Sequence, residues 1–194
     1  MLYFQKRFSS AMVRSGVIDS KDQELYEFAL RNLLYAAATW GTLLIIGILT
    51  QRFWYCLLYI AAYLPLREYA GGFHQKTRMR CYINSIFIFV ILILGSFVYK
   101  IFFTPLALSV GLLFSVIVLI TFIPVESKQN PLTEKERNVY RKRALITMTT
   151  EIILTIILYV MGFLLSAFFL FGALLTSAIL VGVGAFQHRL ECKK

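Results

Sequence analysis

From Ile152 to Gln187 the chain carries no Asp, Glu, Lys or Arg, and that one run limits the fold more than any motif does. The hydrocarbon core of a bilayer is about 30 Å thick and takes roughly 20 apolar residues to cross as a helix. The run is long enough to finish one crossing, turn between Gly162 and Gly172, and make another, with helix extending upstream through Ala144 to Glu151. Four more uncharged runs precede it, at Leu33–Thr50, Phe53–Leu66, Cys81–Tyr99 and Ile101–Val125. Phe53–Leu66 is the shortest and the weakest of the six spans this implies. In lipid every backbone polar group must be paired internally, and these runs lack the short alternating pattern of barrel strands. The expected fold class is therefore all-α, a polytopic helical membrane protein with about six transmembrane helices. Composition agrees, with 59% hydrophobic residues, 15% charged residues and a mean hydropathy of +0.72.

Charge placement predicts the orientation, because Lys and Arg are retained on the cytoplasmic side. Of the 20 Lys and Arg, all but Arg52 and Lys100 fall before the first span, between spans two and three, between spans four and five, or after the sixth. Both termini are thus expected in the cytoplasm of a multi-pass cell-membrane protein. The first span is expected to be retained, since a mixed-charge segment precedes it and no A-x-A-like cleavage site follows it. A net charge of +10 is accounted for by this topology and by anionic lipid, so no nucleic-acid partner is implied.

The whole chain, 1–194, reads as one integral membrane domain with three polar pieces. Residues 1–19 mix Leu2, Phe4, Phe8, Met12 and Val13 with Lys6, Arg7 and Arg14, the pattern of an interfacial amphipathic segment. Ser20-x-x-Gln23 then reads as a capping box that starts the first long helix. The second piece is the cytoplasmic loop 67–81. The third, 126–143, is basic: Asn130-Pro131 breaks helix, Thr133-x-x-Glu136 restarts it, and Arg137, Arg141, Lys142 and Arg143 follow.

Loop 67–81 carries the chemistry. It reads Arg67-Glu68-Tyr69-Ala70-Gly71-Gly72-Phe73-His74, with Cys81 seven residues beyond the histidine at the start of the next apolar run. A thiol attacks as its thiolate, which cations, an imidazole or a helix N-terminus favour. Cys81 has Lys76, Arg78 and Arg80 close in sequence, His74 within reach of a bent loop, and a helix beginning around it. On one straight helix the pair would be separated by about 10 Å of rise, too far for a hydrogen bond. Gly71-Gly72 supplies the bend, since glycine adopts positive φ freely and lets backbone pass close by.

Spacing alone leaves other readings open. A juxtamembrane histidine is ordinarily a polar surface group and a cysteine in an apolar run a small hydrophobe, which is the reading given to Cys56. His188 and Cys192 form a second pair, four residues apart on a helical tail. Zinc has no supporting C-x-x-C or H-x-x-x-H spacing, so no metal is expected. No G-x-x-x-x-G-K-[ST] is present, so neither nucleotide nor any other cofactor is called for. A transporter built around Glu151, eight residues past Arg143, and a noncatalytic scaffold packed through small residues of the last spans are the competing classes.

With six spans, Arg67-x-x-x-Gly71-Gly72-x-His74, Cys81 and a second loop bearing Pro124, Pro131 and basic residues, the chain resembles the accessory gene regulator protein B (AgrB) family over essentially its whole length. The resemblance implies a membrane cysteine endopeptidase of Gram-positive quorum sensing. Its partner would be an AgrD-like amphipathic propeptide, whose acidic C-terminal tail is removed and whose remainder is closed to a thiolactone or lactone. By that resemblance Cys81 is the nucleophile, His74 its base, Arg67, Gly71 and Gly72 supporting residues, and a homodimer the implied assembly. One departure is the second loop, where Lys128 stands alone in place of a denser lysine run.

Overall fold

The computed structural model describes residues 7, 10–15, 18–71, 78–125 and 133–192. Among these, a short 3-10 turn at Ser20–Asp22 is followed by six long helices: α1 (Gln23–Leu49), α2 (Phe53–Ala70), α3 (Arg78–Phe102), α4 (Pro105–Phe122), α5 (Glu134–Val160) and α6 (Leu164–Cys192). The protein is a polytopic all-α membrane protein. All the long helices except α2 are long and apolar enough to cross a bilayer. α2 is the expected weak span, because Pro65 lies inside it and Arg67 and Glu68 occupy its last turn. Most helices outrun the uncharged runs, because helix continues through polar residues into the interfacial layer.

Each boundary has a local cause. Ile101 and Phe102 still belong to α3, and α4 starts at Pro105, four residues past Ile101, because the chain breaks at Phe103-Thr104: the Thr104 hydroxyl accepts from the Ala107 N–H, and Pro105 takes the first helical position. The capping box before α5 forms as expected. Thr133 Oγ1 accepts from the Glu136 N–H, and Glu136 Oε2 accepts from the Thr133 N–H at 2.9 Å. The turn between α5 and α6 falls at the near edge of its expected window, where Gly162 adopts φ +83° and its N–H reaches Tyr159 O. Within the apolar stretches, Thr39, Thr42, Ser115, Thr121, Thr149, Thr150 and Thr155 turn their hydroxyls back onto carbonyls four residues earlier, so each polar side chain is satisfied within its own helix.

The chain divides into two compact units, residues 1–42 and 43–194. In the first, residues 10–14 are helical and Ile18 is buried, while most of the expected interfacial segment 1–19 outside these positions is not among the described residues. α1 starts at Gln23, whose side-chain amide donates to Ser10 and Glu27; the Ser20 side chain of the expected box lies outside the described residues.

In the second unit α6 is the central helix and packs against α2, α3, α4 and α5. Its buried positions alternate small and large, from Ala167-Phe168-Phe169-Leu170 through Ala173-Leu174 to Ser177-Ala178 and Val181. Among lipid-soluble helices, where hydrophobicity alone gives no reason to associate, such close packing supplies the attraction. The side-chain contacts also give directions. Tyr55 meets Phe169 while Tyr59 hydrogen-bonds Thr176, so α2 and α6 run the same way. Leu92 lies against Gly172 and Phe168 against Gly95, so α3 runs oppositely. Phe171 lies against Gly111 and Val118 against Gly182, so α4 runs with α6. The C-terminal ends of α2, α4 and α6 and the N-terminal ends of α3 and α5 therefore share one end. Arg67, Arg80, Arg137, Arg141, Lys142, Arg143 and Arg189 lie toward it, and Arg52, 4.5 Å from the Phe97 ring, lies toward the other.

Candidate active site

At the cation-rich end a core cluster closes the bundle: Leu66 and Ala70 of α2, Leu119 and the following Ile123, Ala144 and Met148 of α5, and Leu174, Ala178 and Val181 of α6 are all buried together. On this floor the exit of α2 is pinned to the exit of α4. Gly71 pairs with Val125 in a short parallel bridge, in which the Val125 N–H donates to Ala70 O at 3.0 Å. Gly71 has φ +69° and ψ −143°, and a Cβ there would be driven into the Val125 carbonyl. Both demands, the left-handed φ and the close backbone approach, require glycine at this position. Ile123-Pro124 before the bridge is a cis peptide.

Arg67, one turn before Gly71, donates from Nη1 to Gly71 O at 2.7 Å. The guanidinium thus holds the first carbonyl beyond the helix end, where a cation also complements the helix dipole. Around the same corner the Tyr69 and Tyr140 rings lie 6.1 Å apart, and the Arg143 guanidinium sits 5.5 Å from the centre of the Tyr69 ring. Arg189 sits 5.6 Å from the Phe122 ring. These cation–aromatic contacts tie α5 to α2 and the end of α6 to α4.

Cys81 is exposed and lies in the first turn of α3. There the free N–H groups and the dipole of a helix favour negative charge. The helix registers bring Arg67 to the same height. Tyr59 of α2 contacts Phe89 of α3 at 5.3 Å; the two helices run oppositely, and Arg67 is as far past Tyr59 as Cys81 is before Phe89. Counting along α6 from Thr176 and from Gly172 gives the same result, near Val183 and Gly184. Of the residues singled out in the sequence, the structure brings Arg67, Gly71 and Cys81 to one end of the bundle. Gly72 and His74 lie outside the described residues, as does most of loop 126–143 before Thr133.

Cys56 is fully buried beside Gly47, as its reading as a small hydrophobe requires. His188 and Cys192 are both on α6, with side chains outside the described residues. Among the described residues, no three His, Cys, Asp or Glu side chains are grouped to hold a metal ion. Glu151, around which the competing transporter reading is built, is 4% exposed, and neither carboxyl oxygen has a hydrogen-bond partner. Sequence reasoning missed the partner of Gly71 and the Tyr69–Tyr140–Arg143 corner; the signal present was Gly-Gly after Arg67 and Ile-Pro-Val after the fourth apolar run.

These features define a polytopic helical membrane protein with an exposed thiol at a helix start, set at the cationic end of its bundle. The sequence model of accessory gene regulator B matches residues 5–183, and the chain belongs to that family. It is 28% identical over 159 residues to accessory gene regulator protein B of Staphylococcus intermedius, covering 82% of this chain and 80% of the relative. It is also similar to two AgrB-like proteins of Clostridium perfringens. One is 26% identical over 152 residues and the other 27% over 151, each covering 73% of this chain and 70% of the relative. No solved structure matches the chain significantly.

Proposed function

We propose that the protein is a cysteine endopeptidase of the cell membrane of a Gram-positive bacterium. It removes the C-terminal tail of a quorum-sensing propeptide and promotes closure of the remainder to a thiolactone or lactone. The observation that supports this reading is the exposed Cys81 thiol on the first turn of α3, level with Arg67 and at the same end of the bundle as Gly71, where the segment that contains His74 leaves α2.

The chemistry follows from the residue types. The Cys81 proton passes to His74, and the thiolate attacks the carbonyl at the tail junction. The C–N bond breaks, the leaving amine takes the proton from the imidazolium, and the propeptide body remains as an acyl-thioester on Cys81. A thiol or hydroxyl of the propeptide then attacks that thioester, its proton going to His74, and the ring is released with the Cys81 thiolate regenerated. The thioester conserves the acyl group in activated form without a nucleotide, so the exchange is reversible and needs product removal to go forward. Backbone N–H groups at the start of α3 are suited to hold the developing oxyanion. Gly71 and Arg67 set where the loop leaves α2, and Gly72 allows it to turn.

The test is conversion of a propeptide encoded beside the protein, followed by mass spectrometry in membranes bearing Cys81→Ser or His74→Ala. Both substitutions should leave the tail attached, while Cys56→Ser and Cys192→Ser should process normally. A second reading, a small peptide exporter, rests on the buried and unpartnered Glu151. It predicts that Cys81→Ser still produces cleaved peptide and that Glu151→Gln stops its release.

A further inference from the structure

We propose that Arg52 and Lys100 form a binding site for the phosphate of an anionic phospholipid, in the leaflet at the cation-poor end of the bundle. They are the two cations that the charge pattern sets apart from all the other Lys and Arg. The inference is independent of the endopeptidase reading and concerns how the corner between α1 and α2 is held to α3 in lipid.

The turn that carries Arg52 is tightly bonded. α1 ends with Gln51 at φ +57°; the Gln51 N–H donates to Ile48 O, and the Arg52 N–H donates to Gly47 O at 2.7 Å, the paired bonds that close a helix through a left-handed residue. The Cys56 N–H then donates to Arg52 O at 3.0 Å as α2 begins. From this corner the Arg52 side chain reaches α3 and sets its guanidinium 4.5 Å from the centre of the Phe97 ring, with Nε buried and without a hydrogen-bond partner. Phe97 and Lys100 are three residues apart on α3, so the second cation shares the helix face on which the first rests.

No carboxylate balances the pair. The stretches 49–54, 97–106 and 158–166, which turn at this end, contain no Asp or Glu, and the dipole at the end of α3 offsets only about half of one cation. Like charges on one face repel unless an anion joins them. The surroundings point to what carries that anion. Leu49, Trp54 and Ile101, close to the cations in sequence, are 77%, 74% and 80% exposed, so the cations emerge from apolar, lipid-facing surface, and Trp54 supplies an amphipathic ring of the kind that sits at headgroup level. A phosphate fixed above acyl chains fits this setting: the chains lie along the apolar residues, while the phosphate accepts from the guanidinium and the ammonium. A headgroup with its own ammonium would bring a third cation to the pair, and phosphatidylglycerol brings none.

The experiment uses the full-length chain with Trp40→Phe, which leaves Trp54 as its one tryptophan, in vesicles of dioleoylphosphatidylcholine and dioleoylphosphatidylglycerol in equal parts. One lipid or the other carries brominated acyl chains, and quenching of Trp54 reads which lipid lies beside it. The expected result is a preference for phosphatidylglycerol that falls roughly three- to fivefold in Arg52→Gln and likewise in Lys100→Gln. Lys100→Gln leaves the Arg52–Phe97 contact in place, so its effect does not come from a displaced corner, and thermal unfolding of both variants shows that the bundle is intact. Lys142→Gln, toward the cation-rich end, should leave the preference unchanged. Equal quenching by the two brominated lipids, or a preference that survives both substitutions, overturns the proposal. Inorganic phosphate should lower the preference no more than chloride of equal ionic strength; if it abolishes the preference where chloride does not, the site takes a free anion and the lipid assignment falls.

Discussion

Replacing Gly71 by alanine tests whether one backbone crossing organises the site. The residue sits at φ +69°, ψ −143°, a region nearly reserved for glycine, and holding another residue there costs of order 1–3 kcal/mol. The new Cβ would also be forced against the Val125 carbonyl, within 3.2 Å of its carbon as well as its oxygen. Backbone cannot yield as a side chain can, so the bridge must open. Opening loses the Val125 N–H to Ala70 O bond and the Arg67 grip on Gly71 O, adding about 1–3 kcal/mol. The sum, roughly 2–6 kcal/mol, reaches only the low end of the 5–15 kcal/mol that a typical fold can lose. The bundle should therefore survive while the Gly71–Val125 corner opens. Hydrogen exchange read by mass spectrometry should show lost protection at Val125 and the last turn of α2, with α6 unchanged, and propeptide cleavage should fall with it. Gly162→Ala is the matched control: φ is +83°, but a Cβ there meets nothing within 4 Å, so only the conformational cost of about 1–2 kcal/mol applies. Equal exchange at Val125 in Gly71→Ala and wild type would refute the bridge as the organising contact.

Two further perturbations probe the scaffold. Glu151→Met replaces an unpartnered buried carboxyl with an apolar chain of similar reach and should raise thermal stability by about 1–3 kcal/mol, the usual cost of leaving a buried polar group unsatisfied. A lowered melting temperature would show that the carboxyl has a partner it depends on. The Thr133 backbone N–H and, secondarily, its hydroxyl hold the Glu136 carboxyl below the usual carboxylate range in the solvated first turn of α5; Thr133→Ala removes the hydroxyl, and with it the acceptor of the Glu136 N–H, and leaves the Thr133 N–H. Because that carboxylate is favoured in the folded state, its contribution is present above the ordinary carboxylate range and lost as pH falls through the lowered value. Hydrogen exchange at residues 134–137 should accelerate in the variant at neutral pH, and the difference from wild type should shrink on acidification; exchange that is equal at neutral pH counts against the box.

How far the sequence shows this arrangement depends on whether a feature is local. Uncharged runs read directly as helices, because lipid leaves the backbone no other economical structure. Thr133-x-x-Glu136 was legible because both partners of the box lie within one turn. Arg67, Gly71 and Cys81 were legible as residue types, and their placement at one end follows from alternating helix direction. What could not be read is anything that depends on rotation about a helix axis or on a partner distant in the chain. Gly71 announces that something must come close, but only the packing of α4 beside α2 identifies it as Val125. Glu151 lies eight residues past Arg143, a spacing that fits an interfacial ion pair equally well. Its burial is set by the rotation that turns Ala144, Met148, Glu151 and Thr155 inward together.

That same rotation brings the second basic segment to the Gly71–Val125 corner without a lysine run in its loop. Ala144 and Met148 anchor α5 against the floor of small and aliphatic residues on α6, and with that face held inward the preceding turns must project beyond the bundle. Exposed Arg137, Arg141, Lys142 and Arg143 are carried on those turns, and Arg143 reaches Tyr69 two residues before Gly71. Rigid helix thus delivers to the Gly71–Val125 corner the positive charge that a flexible loop would otherwise have to supply. Arg67 and the exposed cations of α5 thus gather at the same end of the bundle, where charges closer than a Debye length of about 8 Å act together. The helix start bearing Cys81 lies at the height of Arg67 because the Tyr59–Phe89 contact sets the register of α2 against α3.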